Sequence, residues 1–164
     1  MLDYQVGDTV IHANYGMGEI IQMDVKFIHE RQMPCYVVRV HNMVIWVMAG
    51  EQGKSSLRLP TSSVDFDDLF AILSSPGDPL PTERFERKKE LVQRLKDGAL
   101  TSVCTVIRDL ELYMHQKKFN EDDKTTMQRA KDFLLEEWVY VRPVSLMQAN
   151  DELTRLLGVV YKQL

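Results

Sequence analysis

Between residues 84 and 96 the chain carries six basic side chains, Arg84, Arg87, Lys88, Lys89, Arg94 and Lys96, against Glu86 and Glu90, a local charge of +4. Cations at this density can bind phosphate through charge and counterion release. At helical spacing positions 84, 88, 91 and 95 overlie one another, as do 85, 89, 92 and 96. The first line reads Arg, Lys, Leu, Leu and the second Phe, Lys, Val, Lys. The later residues Leu91, Val92 and Leu95 are therefore expected in a core. The earlier ones continue the same lines with cations and Phe85, an aromatic able to wedge into or stack on bases. An ordinary solvated face has the same appearance, with Glu86 and Glu90 pairing nearby cations, and Phe85 could staple onto the Pro-rich stretch before it. On spacing alone the solvated face is favoured. Lys124 raises the same question, because it follows Glu121-Asp122-Asp123 at a helix start, where a cation opposes the dipole.

The scaffold for these residues is legible in the hydrophobic period. From Gln5 to about Leu59, alternation and β-branched residues broken by turns imply strands at Thr9 to His12, Gly18 to Phe27, Cys35 to His41 and Met43 to Met48. Gly7-Asp8 and Asn14-Tyr15-Gly16 supply turn chemistry, and His41-Asn42 a tight connection. After Ser74 the period becomes helical. Residues 74–81 hold three prolines and a glycine, so the domain boundary is placed there. The spacing implies an α+β chain with a bent antiparallel β barrel at 1–75, a Pro-rich linker at 76–81 and an all-α bundle at 82–164. The segment Val64 to Leu73 is expected to pack on the barrel. The expected helices run from Glu83 to Asp97 after Thr82 as N-cap, from Ser102 to Lys117, from an Asn120 cap onward, and from Pro143.

Composition at first opposes a nucleic-acid partner. The 164 residues carry 20 Lys+Arg and 24 Asp+Glu, net -4. Residues 1–75 hold 5 basic and 9 acidic side chains, and residues 76–164 hold 15 of each, so the whole deficit lies in the strand-rich half. Cys35 and Cys104 form no CxxC or Cys/His cluster, which disfavours a disulfide framework or a zinc site. His12, His29, His41 and His115 join no nucleophile motif, HExxH, P-loop or GxGxxG, so no catalytic residue, cofactor or metal is expected. The opening MLDYQVGDTV lacks a leader pattern and no stretch approaches a membrane span, which implies a cytoplasmic protein without membrane association.

An ordered series of motifs resembles the CarD/CdnL family of bacterial RNA polymerase-binding transcription regulators. Val6-Gly7-Asp8-Thr9-Val10-Ile11 and Asn14-Tyr15-Gly16-Met17-Gly18 open it, and Tyr36-Val37-Val38-Arg39-Val40 and Leu57-Arg58 continue it. Arg87-x-Lys89, Leu95-Lys96-Asp97-Gly98, the run Val103 to Leu110 and the run Lys124 to Lys131 follow in the second half. The match is weakest from about Val139 onward. It implies a Tudor-like, SH3-like β domain that docks on the RNA polymerase β subunit. It also implies a helical domain that contacts promoter DNA, through backbone and minor groove, at the upstream edge of the melted bubble. The outcome would be a stabilised open complex with little sequence specificity. Carried over position by position, the resemblance places DNA contacts on Lys89 and Lys124, and polymerase contacts on Lys26 and Trp46. Trp46 stands where the family has a basic residue. The DNA-facing set is then Arg84, Phe85, Arg87, Lys88, Lys89 and Lys124. The tryptophan that many members place before the first bundle helix falls at Arg84 here, and Phe85, one residue later, is the candidate replacement wedge.

A monomer is expected, with neither a small-molecule substrate nor an enzymatic activity. The alternative is a polymerase-binding adaptor without significant DNA binding, similar to the polymerase-interacting segment of transcription-repair coupling factors, which resembles the β half only. A DNA-binding role with net charge -4 would carry weak intrinsic affinity, so tethering to polymerase would supply the local concentration.

Overall fold

The computed structural model describes residues 4–49 and 56–163. It divides into two compact units, one up to Pro60 and one from Thr61.

The first unit is a five-stranded antiparallel sheet in the order β4-β3-β2-β1-β5. Its strands are β1 (Thr9–His12), β2 (Gly16–Ile28), β3 (Arg31–Val40), β4 (Met43–Met48) and β5 (Leu57–Arg58). The β2 to β3 register shifts between Ile20 and Gln22. This bulge adds one residue to β2, so Ile20 and Met23 both face the core across an odd spacing, and it bends the strand. Val10, Ile20, Tyr36, Val38, Val40, Val47, Ala49 and Leu57 form that core. Gly18 is required by packing, since a Cβ there would lie 2.7 Å from Val40 Cγ2 and 2.8 Å from the Arg39 carbonyl oxygen. β2 and β3 form one long hairpin with Ile28 opposite Arg31. The intervening His29 and Glu30 take positive φ, 47° and 64°, as a two-residue hairpin turn requires. Both strands are longer than their alternation implied, because this turn contains no Gly, Pro or Asn to mark it.

The second unit contains α1 (Phe66–Leu73), α2 (Arg84–Leu95), α3 (Leu100–Gln116), α4 (Glu121–Val141) and α5 (Leu146–Gly158), followed by a short 3-10 turn. Two expectations change here. Val64 to Leu73 belongs to the helical unit: Phe66, Leu69 and Leu73 are buried in the helical core, where Phe66 and Phe70 pack on Trp138. The Pro-rich stretch also lies inside this unit. The Asp78 amide donates to buried Asp109 at 2.8 Å, Arg108 bonds Ser75 and Asp78, and Leu80 joins the core. Gly77 sits so close to α3 that a Cβ would meet Leu112 Cβ at 2.8 Å. The division between units therefore falls at Pro60/Thr61 and not at residues 76–81. At the new boundary the Thr61 amide donates to Oε2 of buried Glu137 at 2.8 Å.

Helix starts follow side-chain chemistry. Asn120 and Asp123 form a reciprocal capping box on α4, as do Ser145 and Gln148 on α5, so α5 starts after Ser145 and not at Pro143. For α2 the cap is Glu83 and not Thr82: its carboxylate accepts the Glu86 amide at 2.7 Å. Those backbone hydrogen bonds hold the Glu83 carboxyl below its ordinary pKa.

Candidate functional site

The buried stripe of α2 runs through Arg87 and Leu91, not through Val92, which is 49 % exposed. Arg87, expected on the DNA-facing surface, is 3 % exposed. Its Nε and Nη2 donate to the two carboxylate oxygens of buried Asp123, at 2.7 and 2.9 Å. Nη1 donates to the Pro81 and Thr82 carbonyls, each at 3.1 Å. The guanidinium also lies 4.4 Å from the Tyr113 ring centroid, and Tyr113 stacks on Phe119. The bond to Asp123 pushes the Arg87 pKa up, fixing its charge. Arg87 is thus a strut joining α2, the end of α3 and the start of α4. Its place one turn before Leu91 on a core line was the sequence signal that it points inward. Arg94 is occupied similarly, bonding buried Asp109 at 2.7 Å.

With Arg87 turned inward, the opposite side of α2 is a solvent-facing line of Phe85, Lys89, Val92 and Lys96, all exposed. Phe85 is 68 % exposed, so it does not staple onto the Pro-rich stretch. The Arg84 guanidinium lies 5.0 Å from its ring centroid. Between this line and α4, Lys88 pairs with Asp122 at 3.3 Å and Arg84 approaches the same carboxylate at 4.0 Å. Lys124 pairs with Glu121 at 3.2 Å. Lys89 makes no ion pair among the described residues. Arg87 and Asp123 stand immediately before Lys88-Lys89 and Lys124 in sequence. Their fork therefore fixes the spacing of the two helix starts that carry those lysines.

In the first unit the two other expected positions meet. The Lys26 ammonium lies 4.5 Å from the Trp46 ring centroid, and the Trp46 indole N–H donates to Asp24 at 3.3 Å. Trp46 is 48 % exposed, so it is not part of the core. It sits mid-strand on β4, a sheet edge with no further strand partner among the described residues. Val44 and Met48, two residues to either side, project on the same face and are also exposed. Asp24, which orients the indole, was missed in the sequence because its partner is 22 residues away, on a strand two places along the sheet.

A family model described as CarD, C-terminal domain, matches residues 68–154, more than half of the chain. The chain belongs to the CarD family. This CarD-like transcription regulator is also similar to a Bacillus subtilis (strain 168) protein named "Putative transcription factor YdeB". The two are 22% identical over 147 residues, covering 88% of this chain and 96% of the relative. The matched range contains α2 to α4 and thus every candidate position in the helical unit of this CarD-family chain. Among the described residues no helix is long and apolar enough to cross a membrane.

Proposed function

We propose that this CarD-family regulator docks on the RNA polymerase β subunit through its first unit and contacts promoter DNA through its second, stabilising the open complex. The observation that carries the reading is the exposed line of Phe85 and Lys89 on a helix that the Arg87–Asp123 fork clamps to the start of α4, where Lys124 stands. Cations there engage phosphates with little dependence on sequence, and Phe85 supplies a flat apolar face for an unstacked base step at the bubble edge. Arg84, resting on that ring, guides the aromatic to the backbone.

The edge strand β4 offers the polymerase backbone groups that have no further strand partner among the described residues, so a strand of the β subunit can add to the sheet. Val44, Trp46 and Met48 pack against it, while Lys26 adds a cation. The regulator acts in the cytoplasm as a monomer and performs no covalent step. It shifts the promoter equilibrium by binding the open complex more tightly than the closed one. Co-purification with core RNA polymerase tests the docking arm: the full chain is retained, its Trp46→Ala variant is depleted, and absence of retention for the full chain contradicts the reading.

A second reading is an adaptor that binds polymerase without DNA. The pairing of Arg84 and Lys88 with Asp122, and of Lys124 with Glu121, favours it, because part of the positive charge is already neutralised. A salt titration of binding to bubble DNA separates the two readings. Phosphate contact makes affinity fall as salt rises, whereas an adaptor has little affinity at any salt.

A further inference from the structure

Three candidate cations beside the α2 and α4 starts are each paired with a carboxylate, Arg84 and Lys88 with Asp122 and Lys124 with Glu121, so a phosphate that draws them in also meets an acidic group. Two others carry no such penalty. Lys117 and Lys118, in the turn between α3 and α4, are exposed and make no ion pair among the described residues. Their turn is held firmly: the Lys117 amide donates to the Tyr113 carbonyl at 2.8 Å, and Phe119, which follows Lys118, stacks on Tyr113 with centroids 6.2 Å apart. Tyr113 is the ring that Arg87 covers. One packed stack thus fixes the Lys117-Lys118 turn to the same end of the bundle as the α2 and α4 starts.

We propose that Lys117 and Lys118 form a further phosphate-binding element, extending the DNA contact from α2 and α4 onto the α3–α4 turn. The inference rests on the DNA-contacting reading above. It names as principal phosphate ligands the lysines that have no carboxylate to give up, Lys89, Lys117 and Lys118, with Lys124 secondary. An unpaired ammonium releases its full share of counterions on binding, whereas a paired one exchanges one anion for another and leaves a carboxylate facing the duplex.

The test is fluorescence anisotropy of the full chain with a fork-junction DNA over a salt series, comparing wild type, Lys117→Ala/Lys118→Ala and Arg31→Ala/Lys162→Ala. The last variant removes the same charge from exposed positions elsewhere. Removing both turn lysines is expected to weaken binding at low salt and to flatten the slope of log K against log[salt] by about 0.9 per lysine, while the control keeps the wild-type slope. Asp122→Asn is expected to tighten binding. Wild-type binding with the slope unchanged by the turn substitutions, or flattened equally by the control, overturns this inference and leaves the DNA-contacting reading standing. No wild-type binding at any salt overturns both.

Discussion

The Arg87 guanidinium grips both carboxylate oxygens of Asp123, at 2.7 and 2.9 Å, across the starts of two helices separated by the whole of α3. Both groups are buried, and the fork carries additional bonds to the Pro81 and Thr82 carbonyls. The arginine expected on the DNA-facing surface instead sets the spacing of the two helix starts that carry Lys88, Lys89 and Lys124.

Arg87→Ala leaves the Asp123 carboxylate buried without its partner. Loss of one member of a buried pair costs about 3–5 kcal/mol, so the urea midpoint of the full chain should drop steeply. Arg87→Lys should recover only part of this, because an ammonium cannot reproduce the two-pronged contact. A midpoint within experimental error of wild type for Arg87→Ala would show that the fork does not hold the helices.

Phe85→Ala should change stability by no more than about 0.5 kcal/mol, since the ring is exposed. Open-complex lifetime should nevertheless shorten about fivefold or more, in line with about 1–3 kcal/mol for a base stacked on an aromatic side chain, with polymerase retention unchanged. An unaltered lifetime removes Phe85 as the wedge.

Trp46→Ala should weaken binding to core polymerase about tenfold or more, the range of an interfacial tryptophan anchor. Lys26→Ala should cost less. The double variant should lose less than the sum of the two, because the ammonium rests on the indole ring. Strict additivity in a titration of labelled polymerase would show that the pair does not act as one contact.

His12 is buried, and its Nδ1 accepts the Asn14 and Tyr15 amides at 3.0 and 3.3 Å, which requires an unprotonated nitrogen. Burial holds its pKa below the ordinary 6.5. In the interval between the two values the unfolded chain binds the extra proton, so stability falls as pH drops below about 6.5 and levels off beneath the folded pKa. Amide signals of β1 and β2 in urea series at several pH values should show this decline, and His12→Gln should flatten it.

The sequence carries its information unevenly, for physical reasons. β1 and β4 are read at their observed limits because alternation and turn residues coincide there, and the α4 cap because Asn120 and Asp123 stand at capping-box spacing. The β2–β3 hairpin was hidden by a His29-Glu30 turn that carries positive φ without turn-type residues. Prolines 76, 79 and 81 mark a break in helix, which the structure confirms, but a break in helix is not a break between units: Asp109 and Arg108 bind that stretch to α3. For the candidate site, spacing placed Phe85 and Lys89 on one line of α2 but put Val92 in the core, and Arg87 and Asp123, 36 residues apart, pair through tertiary packing that no local pattern records.

Open-complex stabilisation is tested by the lifetime of preformed promoter open complexes after challenge with a competitor, with the full chain saturating polymerase. Wild type is expected to prolong the lifetime, Trp46→Ala to lose the effect at subsaturating concentration and regain it when the variant is added to saturation, and Lys89→Ala to lose it even at saturation. A lifetime unchanged by saturating wild-type chain would contradict open-complex stabilisation.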